Sequence, residues 1–89
     1  MLAYVAHTAE QFPALLKAFR KQAGLTQGEV AALLGVTQQS FSALERNAHK
    51  ASAERLLQLF GILGVEMLLR SKGQHKDEAG EPSGESPSW

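Results

Sequence analysis

Residues 26–46 read TQGEVAALLGVTQQSFSALER, the pattern of a helix, a tight turn and a second helix. Thr26 offers a hydroxyl to the free N–H groups of a helix start, and Glu29 three residues on completes a capping box. Val30, Leu33 and Leu34 then fall on one face. Gly35 follows the last apolar pair, where a helix end often takes the left-handed backbone that glycine adopts without strain. Thr37 starts the second helix. At about 100° per residue, Gln38, Gln39, Ser42 and Arg46 share one arc of it, with Phe41 and Leu44 opposite. One face is built to pack and the other is left to read. The bland alternative is a helical hairpin whose polar arc is merely solvated, but such faces usually carry Lys and Glu, whereas this one carries Gln, Gln and Ser.

Around this stretch, 89 residues allow one domain, and a chain of this size buries only about 60% of its unfolded surface. A thin core favours dimerisation. With no Cys there are no disulfides, thiolate nucleophiles or Cys-based zinc sites. His7, His49 and His75 stand far apart and pair with no carboxylate at a ligand or triad spacing, so they read as ordinary surface residues, and neither metal nor cofactor is expected. The start, MLAYVAHTAEQF, lacks the basic segment and apolar run of a signal peptide, and nothing approaches the roughly 18 apolar residues of a membrane span. A soluble cytoplasmic protein is expected, associated with the nucleoid when bound to DNA.

The formal net charge of zero hides an asymmetry. Residues 1–76 hold all nine Lys and Arg against five Glu, a net of +4, while Asp77, Glu78, Glu81 and Glu85 give residues 77–89 a net of −4. A basic head suits a phosphate backbone, and a small acidic tail opposes it or serves another partner.

Along the chain, Phe12, Leu15, Leu16 and Phe19 keep helical spacing, with Thr8 and Gln11 as a capping box. Pro13 pushes the regular helix toward a start near Phe12, and Gly24 ends it. After the central motif, the polar loop NAHKAS places Asn47, His49 and Lys50 beside a DNA backbone if the preceding helix enters the major groove. Ser52 caps a further helix with Leu56, Leu59, Phe60 and Leu63 on one face and Leu57 widening the stripe, and Gly64 stops it. In VEMLLR, Val65, Met67 and Leu69 alternate with Glu66, Leu68 and Arg70, which reads as a short strand. The rival is a helix continued through Gly64. A lone strand needs a partner, and the simplest is its own copy across a twofold axis, which makes Val65, Met67 and Leu69 dimerisation residues. From Ser71 the sequence SKGQHKDEAGEPSGESPSW has no apolar periodicity and should be disordered. Its terminal Trp89 is the only tryptophan, and it is either an incidental end residue or an anchor for a partner's pocket. The division is therefore a helix-turn-helix and dimerisation domain over residues 1–70 and an acidic tail over 71–89.

The stretch Thr26–Arg46 is similar to the helix-turn-helix of the lambda-repressor-like, or Xre-type, family, which implies an all-α bundle of four to five short helices that binds DNA. The order of parts goes further. The GLTQ helix start, the four helices, a short apolar strand after Gly and a tail ending in Trp resemble the Hip-type (HipB) antitoxins over about Thr8 to Arg70. That resemblance implies a homodimer that represses its own promoter and binds a HipA-like serine/threonine-kinase toxin. It implies that Thr37, Gln38 and Gln39 begin the base-reading helix and that Gln27 braces it or touches phosphate. It also implies that Arg20 meets Glu45, tying the first helix to the third. Ala48 stands where others of the broad family place Gly, and the tail is more acidic than theirs.

The expected mechanism follows from geometry: two recognition helices enter successive major grooves roughly 34 Å apart, so the operator is a double-stranded pseudo-palindrome. Gln38 and Gln39 read base edges, while Arg46, Lys50 and the N–H groups opening that helix hold phosphates. The DNA-binding set is thus Gln27, Thr37, Gln38, Gln39, Ser42, Arg46, Asn47 and Lys50, with Trp89 for the toxin. Two alternatives stand beside this antitoxin reading: a stand-alone, phage-like Xre regulator, and a protein-interaction module with incidental DNA affinity. An enzyme is not expected, since there is no paired carboxylate in a cleft, no Gly-rich phosphate loop and no nucleophile with a base.

Overall fold

The computed structural model describes residues 3–72. A 3-10 turn, Ala9–Gln11, leads into α1, Phe12–Gln22; α2 spans Gln27–Leu34, α3 spans Gln38–Arg46, a second 3-10 turn covers Ala48–Lys50, and α4 spans Ala53–Ile62. Side-chain caps set the starts of α2, α3 and α4. Thr26 accepts from the Glu29 N–H (3.1 Å) while Glu29 Oε1 accepts from the Thr26 N–H (2.8 Å), the capping box expected of α2. Thr37 and Ser52 accept from the N–H groups of Ser40 and Arg55 at the starts of α3 and α4. Pro13 lies in the first turn of α1, where a missing N–H breaks no ladder bond, so the helix begins at Phe12 as its presence predicts.

Three helix ends close in the same way. The N–H of Leu25 bonds the carbonyl of Arg20, that of Val36 bonds Ala31, and that of Val65 bonds Phe60. This is the six-to-one bond of a Schellman motif, with a glycine at the left-handed position before each. Gly35 has φ +82° and Gly64 has φ +76°. Leu25, Val36 and Val65, the residues just beyond, each pack partly buried against the core.

That core is Leu16, Val30, Ala31, Phe41, Ala48, Leu56, Leu59, Phe60 and Leu63. Phe41 reaches it from α3 and Leu59 from α4, at 1% and 0% exposure. Phe60 lies between Phe12 and Phe19, with centroids 6.2 and 6.3 Å away, and Tyr4 adds an edge-on contact to Phe19 at 5.3 Å. The chain before α1 is held by Gln11, whose Oε1 accepts from the N–H groups of His7 and Thr8 while its Nε2 donates to the Val5 carbonyl.

Several expectations need correction. Leu33 is 63% exposed, because Ala31 is buried and moves the inward face of α2 to the Val30, Ala31 and Leu34 side. Leu57 is 53% exposed, since Leu56, Leu59, Phe60 and Leu63 already fill the inward arc of α4. His49 is not an ordinary surface residue: it is half-buried, with its Nδ1 enclosed and unpartnered among the described residues. Residues 65–70 form neither the strand nor its helical rival, and the described residues contain no strand. Val65 is taken by the α4 closure, so its burial reflects the helix end and not strand alternation. Met67 and Leu69 are exposed, and the strand pairing expected of them is with a second copy.

Candidate nucleic-acid interface

Turn chemistry decides how α3 stands against α2. Gly35 closes α2, Val36 plugs into the core, and Thr37 opens α3 within three residues, so the helices share a short corner. Phe41 anchors α3 inward, which turns Gln38, Gln39 and Ser42 outward. With Thr37 and with Gln27 from the start of α2, they line one concavity of about 510 Å³. Five of the eight residues expected to meet DNA therefore converge on a single surface.

The wall on the α2 side is held by buried charge. Arg20 Nε donates to Glu45 Oε2 at 2.8 Å and Arg20 Nη2 donates to Oε1 at 3.3 Å, with both side chains under a tenth exposed. The third arm, Nη1, donates to the Leu25 carbonyl at 3.0 Å, tying the loop that delivers Thr26. This is the Arg20 to Glu45 tie that the family resemblance implies. Glu45 is the one acid on α3, and turning it inward against a guanidinium leaves no carboxylate facing a phosphate backbone from that helix. Gln27 joins the same cluster: its Nε2 donates to Glu45 Oε1 at 2.8 Å.

The remaining expected contacts lie at the other end of α3. Arg46 is exposed, with Nη1 donating to Ser42 Oγ at 3.4 Å one turn back. Asn47 uses its Nδ2 to cap the Ala43 carbonyl at 2.9 Å, so that half of its amide is committed to ending the helix. Lys50 is exposed at the end of the second 3-10 turn. Trp89 and the tail from residue 73 lie outside the described residues.

One contributor went unread in the sequence. Gly28 is helical with an ordinary φ, and a Cβ built there would sit 3.4 Å from Gln38 Oε1 and 3.9 Å from its Cδ. The bare α2 surface is what Gln38 lies against. The signal available was a glycine in the first turn of a capped helix with no turn to explain it. Among the described residues no group of His, Asp and Glu is arranged to hold a metal ion, and no helix is long and apolar enough to cross a membrane.

A family model described as helix-turn-helix matches residues 16–69, which takes in α2, α3, α4 and the Arg20 to Glu45 tie. No curated protein and no solved structure matches the chain.

Proposed function

Because this chain belongs to the helix-turn-helix family of DNA-binding transcriptional regulators, we propose that it is a dimeric, sequence-specific repressor. In this reading it serves as antitoxin of a type II toxin–antitoxin module, repressing its own operon and neutralising a HipA-like serine/threonine kinase. The observation that carries the DNA half is the convergence of Gln27, Thr37, Gln38, Gln39 and Ser42 on one concave face. Amides and hydroxyls present donors and acceptors together, as base edges do, and a Gln bidentate to adenine contributes about 1–3 kcal/mol of discrimination.

In this mechanism α3 enters the major groove, Gln38 and Gln39 meet base edges, and Arg46, Asn47 and Lys50 flank the groove near phosphates. Two copies place two α3 helices on a pseudo-palindrome. Met67, Leu68 and Leu69, exposed at 41, 77 and 89%, support the dimer, because three neighbouring large apolar side chains left in water gain by being covered. The antitoxin assignment rests on the GLTQ helix start and the four helices, in an order that resembles Hip-type antitoxins, and on the terminal Trp89.

The test is to purify the protein from its native host and identify what comes with it, then footprint the DNA upstream of its own gene. A kinase-like protein together with a protected pseudo-palindrome is the expected result. Protection without any kinase-like partner would replace the antitoxin with the stand-alone regulator. Gln38→Ala should flatten the preference among operator variants, and an unchanged ranking would remove Gln38 from base reading.

A further inference from the structure

Glu45 is buried and faces away from solvent, yet one of its oxygens bonds a residue of the reading face. We propose that Glu45 is a positioning residue for DNA recognition: through its bond to Gln27 it fixes that amide in the cleft, so the buried pair sets what α2 offers to the operator. The inference rests on the DNA-reading role of the cleft.

The chemistry leaves little freedom. Both Glu45 oxygens already accept from Arg20, so the carboxylate meets Gln27 as an acceptor only. The Gln27 amide must therefore turn its nitrogen inward, as it does at 2.8 Å. An amide on solvent flips freely, but this one has a charge-assisted bond at its nitrogen, which is stronger than a neutral one. Arg20 in turn cannot drift, because its third arm is bonded to the Leu25 carbonyl immediately before the α2 cap. From the core outward, Leu25 holds Arg20, Arg20 holds Glu45, and Glu45 holds Gln27. What remains for the cleft is the Gln27 carbonyl oxygen and one N–H, in an orientation set before DNA arrives. The carbonyl is an acceptor, and in the major groove the donors it can meet are the exocyclic amino groups of adenine and cytosine. A phosphate, which only accepts, would be met through the N–H alone. A fixed acceptor distinguishes base edges, which differ in the donors they present, whereas phosphates are the same at every sequence.

The experiment uses the full chain and measures affinity for its operator, for single-base operator variants and for unrelated duplex, at one salt concentration. Arg20→Met with Glu45→Met removes the acceptor and both buried charges together while keeping the space filled, an exchange that folded proteins often tolerate. Gln27→Met removes the amide alone. The wild-type protein should prefer its operator. The paired variant and Gln27→Met should each lower the ratio of operator to unrelated-duplex affinity by about tenfold. The triple variant should be no worse than either, because one interaction is lost only once. A ratio untouched in the paired variant but reduced by Gln27→Met would overturn the proposal and leave DNA reading intact. Additive losses would overturn it as well. A wild-type protein with no preference for any operator would instead fail the DNA reading itself. Should the paired variant not fold, the side-chain amide protons of Gln27 in the wild-type protein decide the matter by NMR. Shifted and protected protons in free and DNA-bound forms are expected, and protons exchanging like those of a free Gln would overturn the proposal.

Discussion

Arg20 and Glu45, on α1 and α3 and 25 residues apart, meet through two hydrogen bonds of 2.8 and 3.3 Å in the interior. A charge pair taken out of water gains little net stability, but breaking it is costly because the surviving charge stays buried. Glu45→Ala should therefore destabilise the fold by about 3–5 kcal/mol in urea unfolding. A loss below about 1 kcal/mol would mean that Arg20 escapes to solvent when its partner is removed.

Two glycines should respond to alanine with opposite signs. Gly35 holds φ +82° at the corner between α2 and α3, and Ala there should cost about 1–2 kcal/mol. Gly61 lies inside α4, and a Cβ added to it would meet nothing within 4 Å, so Gly61→Ala should stabilise by about 0.5–1 kcal/mol. Thermal unfolding separates them, since about 1 kcal/mol moves the Tm of so small a domain by roughly 4–8 °C.

Thr37 both caps α3, accepting from the Ser40 N–H at 3.0 Å, and lines the cleft between α2 and α3. Thr37→Ala should cost about 1 kcal/mol of stability and weaken operator binding even where the protein is fully folded. Thr26→Ala removes a comparable cap from a residue that does not line the cleft, and it should lower stability alone. Equal effects of the two on DNA affinity would argue against Thr37 as a contact.

Lys50 is exposed beyond α3 and stands apart from the residues that line the cleft. Lys50→Ala should weaken all duplexes alike and reduce the slope of log affinity against log salt by about one. A change in the ranking of operators would move Lys50 from the backbone to the bases.

Met67→Pro tests the expected pairing of residues 65–70 across a twofold axis. Proline removes an N–H from the ladder, so the dimer should weaken in sedimentation. An unchanged dimer would place the contact elsewhere.

Much of this molecule was written in local chemistry. Thr26, Thr37 and Ser52 begin helices because a hydroxyl beside free N–H groups is a property of the neighbouring residues alone, and Gly24, Gly35 and Gly64 end them for an equally local reason. Helical spacing likewise put Phe41 inward and Gln38, Gln39 and Ser42 outward, so the polar face of α3 was legible before any packing was known. Tertiary structure decided what periodicity left degenerate. Leu33 and Ala31 both border the apolar arc of α2, and only the close approach of the other helices selects the smaller one for burial. The same holds for Val65, drawn in by the closure of α4, and for Gln27, whose amide turns toward a carboxylate 18 residues further on. Local sequence determined where each helix starts, stops and faces, whereas contacts between distant residues decided which side chains the core could hold and which the cleft could present.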